Sequence, residues 1–143
     1  MAFSPDGRLL AIDSALVDYS DPERPHQIAT LNQAGDVLAL SFSPDGHTLA
    51  TTGDDHTTHL WSLANPQHPT ELATLNQPDT PTSVAFSPDG HTIATGSTDH
   101  TLRIWETDIP HLTTRLCNLA HTPITRAEWD RYFPDLSYQP PCP

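Results

Sequence analysis

The stretch that decides the fold runs Val84-Ala-Phe-Ser-Pro-Asp-Gly-His-Thr-Ile-Ala-Thr-Gly-Ser-Thr-Asp-His-Thr-Leu-Arg-Ile-Trp105. Its Ser-Pro-Asp-Gly segment, with proline second and glycine fourth, predicts a tight turn. The segments on either side hold β-branched residues, and residues 101–105 alternate polar with apolar side chains, which is typical of a strand. We therefore expect short antiparallel strands that are joined by hairpins.

The same pattern occurs three times along the chain. Phe-Ser-Pro-Asp-Gly begins at Phe3, Phe42 and Phe86. The second and third copies stay in phase with a period of 44 residues, which also relates Trp61 to Trp105. A period of roughly 20–50 residues is typical of repeat architectures, in which each unit is one small supersecondary structure.

The first copy departs from the other two. It spans 39 residues to the next motif, and aligning it from its end places Val17 at the tryptophan position, so it is a degraded repeat. In the middle unit a fourth strand is predicted around Glu71 to Leu75. Four short strands make one antiparallel blade, and a lone blade exposes two apolar faces that must stack on neighbours.

The repeated unit resembles the WD repeat, through its Ser-Pro-Asp-Gly turn and the stretch that ends at Trp105. The resemblance implies an all-β fold: a partial β-propeller of about three blades, with a short α-helical C-terminal tail. Closed propellers have roughly 4–8 blades, so we expect an open wedge with unpaired edges. The implied boundaries are WD-repeat blades at 1–108, divided into a degraded repeat at 1–40, a second repeat at 41–84 and a third at 85–108 that lacks its outer strand, and a tail at 109–143.

The same resemblance implies a hydrogen-bonded set inside each blade. In the WD family it joins a histidine, a turn aspartate, a strand serine or threonine, and a tryptophan. Here glutamine falls at the histidine position, and because its amide both donates and accepts, a weaker set is expected. The implied structural residues are Gln33, Thr51, Asp55 and Trp61 in one unit, and Gln77, Thr95, Asp99 and Trp105 in the next.

Residues 109–143 break the repeat. Leu112, Leu116 and Leu119 follow helical spacing, and a Thr-x-x-Glu capping box predicts a second short helix. This tail is similar to the C-terminus of large actinobacterial WD-repeat proteins, which often carry a STAND-type NTPase or a protease-like domain. Cys117 and Cys142 form a candidate disulfide, with free thiols as the alternative in a cytosolic protein.

Charge and hydropathy limit the classes of partner. With 18 acidic and 6 basic residues the net charge is −12, which repels phosphate backbones and anionic membranes. No apolar run approaches the roughly 18–20 residues that cross a bilayer, and the first residues lack a signal-peptide pattern. We expect no nucleic-acid or membrane partner and a cytoplasmic location.

No catalytic or metal-binding constellation stands out. His56 and His59 are three residues apart, a spacing that on a strand places them on opposite faces. Asp54, Asp55 and Asp99 fit tight turns better than acid–base chemistry. No nucleophile, base and orienting group occur at a recognisable spacing, and no phosphate-binding glycine loop is present. The sequence predicts no enzyme, no metal and no cofactor.

Two functional hypotheses follow. The first is a non-catalytic protein-interaction scaffold or sensor module of the WD-repeat type, in bacterial signalling, whose rigid blades present exposed loops to a protein partner. Self-association through open blade edges belongs to this hypothesis. The second is a detached C-terminal remnant of a multidomain STAND NTPase or protease that has no independent activity.

Overall fold

The structure is a computed structural model that describes residues 1–107. The predicted helical tail, with Cys117 and Cys142, lies outside the described residues. Within residues 1–107 all regular structure is β-strand, which confirms the all-β prediction for this part of the chain. No helix in the described range has the length and apolar character to span a membrane.

The strands of residues 1–107 form three antiparallel sheets, each a meander in chain order. Sheets 1 and 2 have four strands each, and sheet 3 has three strands within this range. Sheet 1 comprises β1 (Ala2–Phe3), β2 (Leu9–Ile12), β3 (Ala15–Asp18) and β4 (His26–Thr30). Sheet 2 comprises β5 (Val37–Phe42), β6 (Thr48–Gly53), β7 (Thr57–Ser62) and β8 (Thr70–Asn76). Sheet 3 comprises β9 (Pro81–Phe86), β10 (Thr92–Ser97) and β11 (Leu102–Glu106).

The Ser-Pro-Asp-Gly motif forms the first hairpin turn of every sheet. In each copy the glycine N–H donates to the serine carbonyl at 2.9 Å, and Gly7, Gly46 and Gly90 have φ angles of 71°, 74° and 77°. This left-handed conformation is disfavoured for residues with a Cβ atom. The aspartate closes the turn: Asp45 Oδ1 accepts from the serine hydroxyl at 2.5 Å and from the backbone N–H two residues on at 2.9 Å.

Sheet 2 packs on sheet 1 through a row of three large side chains. Phe42, Leu49 and Trp61 lie directly opposite one another on β5, β6 and β7, and cross-strand neighbours of this kind share one face of a sheet. They form one buried cluster with Ala11 and Leu16 of sheet 1, which are both 0% exposed. Burying a side chain of this size stabilises the fold by roughly 1.5–3 kcal/mol.

Sheet 3 packs on sheet 2 in the same way. Phe86, Ile93 and Trp105 form the equivalent row on β9, β10 and β11. The row shares a cluster with Ala50 and Leu60 of sheet 2. The same stacking geometry is therefore used at both sheet–sheet interfaces, as the period of the sequence requires.

The degraded first repeat still folds as four strands. Val17, at the tryptophan position, lies opposite Leu10 in the row of large side chains, so this position keeps an apolar side chain without the indole. The β2–β3 turn occupies only residues 13–14, whereas the β6–β7 turn occupies residues 54–56. Part of the length difference between the repeats is absorbed at this turn.

Candidate functional site

A buried chain of hydrogen bonds crosses sheet 2 from Trp61 to Gln33. The indole N–H of Trp61 donates to Thr51 Oγ1 at 3.0 Å, and the threonine hydroxyl donates to Gln33 Oε1. Thr51 is 0% exposed and Trp61 is 4% exposed. Because the hydroxyl gives its only proton to the amide oxygen, the amide nitrogen of Gln33 must point the other way.

Sheet 3 holds an equivalent chain that is anchored in sheet 2. Trp105 Nε1 donates to Thr95 Oγ1 at 3.1 Å, and Thr95 donates to Gln77 Oε1 at 3.1 Å. Gln77 Nε2 then donates to Thr58 Oγ1, on β7 of sheet 2, at 2.8 Å. The amide thus ties neighbouring sheets together. Gln33 Nε2 is also buried but has no hydrogen-bond partner within residues 1–107.

Asp55 and Asp99 close turns and stand apart from these two chains. Each accepts from the hydroxyl of the threonine two residues on at 2.6 Å, and from its backbone N–H at 3.1 Å and 3.0 Å. In the described part of the chain no hydrogen bond joins Asp55 to Gln33. The two side chains do converge on Gly53, where an added Cβ would lie 2.7 Å from Asp55 Oδ1 and 3.1 Å from Gln33 Nε2.

A basic side chain of the following strand faces each turn aspartate. In sheet 3, Arg103 Nη2 donates to Asp99 Oδ2 at 3.1 Å. The hydroxyl of Thr101 and, after it, this guanidinium hold the pKa of Asp99 well below its usual range. One period earlier, His59 occupies the position of Arg103, with its Nε2 3.7 Å from Asp55 Oδ2.

His59 lies at the centre of a polar cluster that the sequence did not reveal. Its ring stacks on Trp61 with centroids 5.7 Å apart. Its Nε2 lies 2.8 Å from Thr57 Oγ1, and its Nδ1 lies 2.8 Å from Glu71 Oε1 on β8. Hydrogen bonds from Thr74 and then from His59 lower the pKa of Glu71. The equivalence of His59 and Arg103 in the 44-residue period was the one available signal.

Thr57, His59 and Glu71 follow the order hydroxyl, imidazole, carboxylate of a hydrolytic triad. The direction of the hydroxyl hydrogen bond nevertheless favours a structural role. Thr57 Oγ1 lies 2.6 Å from Asp55 Oδ1. The threonine hydroxyl donates its single proton to this carboxylate and not to the imidazole. Within residues 1–107 no three histidine, cysteine or carboxylate side chains are arranged to hold a metal.

A groove runs between the Ser-Pro-Asp-Gly turns of sheets 1 and 2. These turns stack in series: a Cβ at Gly46 would lie 3.6 Å from Pro5 Cδ, and one at Gly90 would lie 3.5 Å from Pro44 Cδ. The groove has a volume of about 870 Å³. Prolines and aliphatic side chains make up much of its wall, and the lining residues include Pro5, Asp6, Pro44, Asp45, Leu63 and Pro66.

Two carboxylates give this groove its charge. The serine hydroxyl of each turn and the backbone amide two residues on lower the pKa of Asp6 and of Asp45. Both side chains are therefore ionised at neutral pH. Asp89 has the same partners in the third turn and a similarly lowered pKa, but it does not line the groove.

Comparison with known proteins identifies the repeat. The family model "WD domain, G-beta repeat" matches residues 25–62 and 69–106, which is more than half of the chain. This chain belongs to the WD-repeat family. No curated protein matches it.

Among solved structures, the WD-repeat chain is similar to the hydrazine synthase of Kuenenia stuttgartiensis, with a TM-score of 0.58 and 21% sequence identity. The match covers 73% of this chain and 31% of that chain, so the present chain spans about a third of the longer protein. At this identity the likeness concerns the fold alone.

The matched units are offset from the sheets. Residues 25–62 contain β4, the outer strand of sheet 1, and then the first three strands of sheet 2. Residues 69–106 contain β8, the outer strand of sheet 2, and then the three strands of sheet 3. Each WD unit therefore joins two sheets, and the glutamine-to-tryptophan chain of hydrogen bonds lies within one unit.

Proposed function

We propose that this chain is a non-catalytic protein-interaction module whose turn groove binds a basic, extended segment of a protein partner. The observation that carries the proposal is the combination, in one groove, of the ionised Asp6 and Asp45 with the apolar surfaces of Pro5, Pro44 and Leu63. Protein-binding surfaces combine apolar contact area with charges that complement those of the partner.

The groove is also rigid enough for this role. Its two turns are held by serine–aspartate and glycine–serine hydrogen bonds. Preorganised loops lose little conformational entropy on binding. The net charge of −12 accelerates encounter with a cationic segment and slows encounter with an anionic one.

A catalytic role has less support, since the Thr57 hydroxyl of the triad-like cluster donates to Asp55. The alternative hypothesis, a remnant of a STAND NTPase or protease, stays a prediction, because neither the matched family model nor the hydrazine synthase structure is of either kind. The cytoplasmic location likewise stays a prediction.

The proposal is tested by selecting binders from a phage library of random linear peptides on the immobilised chain. We expect the selected peptides to carry net positive charge. Their affinity, measured by fluorescence anisotropy, should fall with salt and should drop roughly 3–10-fold in the double variant Asp6→Asn, Asp45→Asn, the size expected for partly exposed charge pairs.

Asp89→Asn is the matched control. It makes the same change in the same type of turn, but outside the groove, and asparagine Oδ1 still accepts the turn hydrogen bonds. Peptide affinity should be unchanged in this variant. Selection of neutral or acidic peptides, or equal losses in the control and the double variant, would show that the groove is not the binding surface.

A further inference from the structure

Within residues 1–107, the face of sheet 1 that is turned away from sheet 2 carries a row of large side chains like the rows of sheets 2 and 3. Phe3, Leu10 and Val17 lie directly opposite one another on β1, β2 and β3. They are the repeat equivalents of the row through which sheet 2 packs on sheet 1. Phe3 is 53% exposed, whereas its equivalent Phe42 is 9% exposed. Leu10, in the middle of the row, is 9% exposed, and its equivalent Leu49 is 0% exposed. Within residues 1–107 no sheet lies against this face.

Each row of large side chains packs on a facing row of the neighbouring sheet, which we call the receiving row. A receiving row consists of two small residues followed by one branched aliphatic residue. In sheet 1 the row Ala2, Ala11, Leu16 receives sheet 2. The second copy of this row lies on sheet 2 and consists of Ser41, Ala50 and Leu60. Ala50 and Leu60 belong to the buried cluster on which sheet 3 packs. The third copy is the row Ala85, Ala94, Ile104 on sheet 3.

Within residues 1–107 no sheet covers the third receiving row. Ile104 is 60% exposed, whereas Leu60 and Leu16 at the same position are 7% and 0% exposed. Leu102, on the same strand, is 69% exposed. The described part of the chain therefore has an unused inserting row at one end and an unused receiving row at the other.

We propose that two copies of this chain associate head to tail. The row Phe3, Leu10, Val17 of one copy packs on the row Ala85, Ala94, Ile104 of the other. This contact would repeat the packing between sheets 1 and 2 and between sheets 2 and 3. The molecule therefore already contains two examples of the proposed interface. This interface joins sheet faces, not strand edges, and does not depend on the proposed peptide groove.

The number of copies follows from ring closure. Heterologous contacts form closed rings when the rotation between subunits completes a circle, and open filaments otherwise. With three sheets in residues 1–107 of each copy, two copies give six sheets, within the roughly 4–8 blades of closed propellers, whereas three copies give nine. Each copy has a net charge of −12, so added salt should strengthen the dimer.

The test is analytical ultracentrifugation of the full chain over a wide range of protein concentration. The wild-type protein should reach twice the monomer mass of 15.7 kDa. Phe3→Asp removes every inserting row and Ile104→Asp removes every receiving row, so either variant alone should remain monomeric. An equimolar mixture of the two variants retains one intact row-to-row contact and should again form a species of twice the monomer mass.

The matched control is Leu72→Asp, which places a charge at another exposed aliphatic residue, 60% exposed on β8, outside both rows. It should dimerise like the wild type. Far-UV circular dichroism establishes that each variant is folded, and the mutated side chains are already more than half exposed. The inference is overturned if the wild type is monomeric throughout, if either single variant still dimerises, or if the mixture of variants stays monomeric.

Discussion

Replacing Thr51 by valine should destabilise the protein, whereas the same replacement at the neighbouring Thr52 should stabilise it. Both threonines are 0% exposed on β6. Thr51 Oγ1 bonds to Trp61 Nε1 and to Gln33 Oε1. Thr52 Oγ1 is buried without a hydrogen-bond partner in the described part of the chain. Valine keeps the shape of the side chain. The two variants therefore differ mainly in whether removal of the hydroxyl leaves other buried polar atoms without a hydrogen-bond partner.

The magnitudes follow from the number of unsatisfied groups. Thr51→Val leaves an indole N–H and an amide oxygen without partners, at roughly 1–3 kcal/mol for each polar group, so a loss of about 2–6 kcal/mol is expected. Thr52→Val removes a hydroxyl that is already desolvated and unpaired, and should gain about 1 kcal/mol.

Urea unfolding, followed in parallel by far-UV circular dichroism and tryptophan fluorescence, measures both effects. The dichroism signal is the reference because Trp61 is itself part of the perturbed chain. The dependence of the unfolding free energy on urea should be the same in both variants, since the exposed area does not change. The argument fails if the two variants shift stability in the same direction, or if Thr51→Val costs less than about 1 kcal/mol.

Three further predictions concern turn residues and the last residue of β6. His100 has a φ of 61°, so His100→Gly should raise the free energy of unfolding by up to about 1 kcal/mol and His100→Val should lower it; thermal unfolding that ranks valine above glycine would contradict this. Gly53→Ala should cost roughly 1–3 kcal/mol in urea unfolding, because its Cβ would lie 2.7 Å from Asp55 Oδ1; unchanged stability would show that the carboxylate moves aside freely. The carboxyl pKa values of Asp6, Asp45 and Asp89 are lowered in the folded state, so their stabilising effect is complete above the ordinary value of 3.8 and is lost as the pH falls through the folded values; a urea midpoint that does not drop between pH 5 and pH 3 would refute this.

The period of the sequence was enough to predict the strands and their pairing. Once Phe42 and Phe86 are aligned, alternation along each strand places large residues on one face and small ones on the other. The turns were equally accessible, because proline and glycine at fixed positions specify the turn backbone. The offset between WD units and sheets could not be predicted, because the period alone does not say where a unit begins.

The side-chain networks depend on contacts that a linear pattern does not contain. Gln77 lies in the link between β8 and β9, yet its amide reaches Thr58 on the neighbouring sheet. His59 meets Glu71 only because β7 pairs with β8 across a bulge between Leu60 and Trp61. The register shift and the stacking of sheets bring these groups together, and neither leaves a short-range signature in the sequence.

The offset between WD units and sheets determines what happens when a whole unit is deleted or duplicated. A deletion of the unit 69–106 would take β8 from sheet 2 together with all of sheet 3. Residues 1–62 would then form one four-stranded sheet followed by one three-stranded sheet, just as a three-stranded sheet 3 follows sheet 2 within residues 1–107. Duplication of the unit would add a copy of β8 as a fourth strand of sheet 3, followed by a further set of three strands. Gain or loss of whole units therefore changes the number of sheets and leaves three strands in the last sheet of the repeat region that the structure describes.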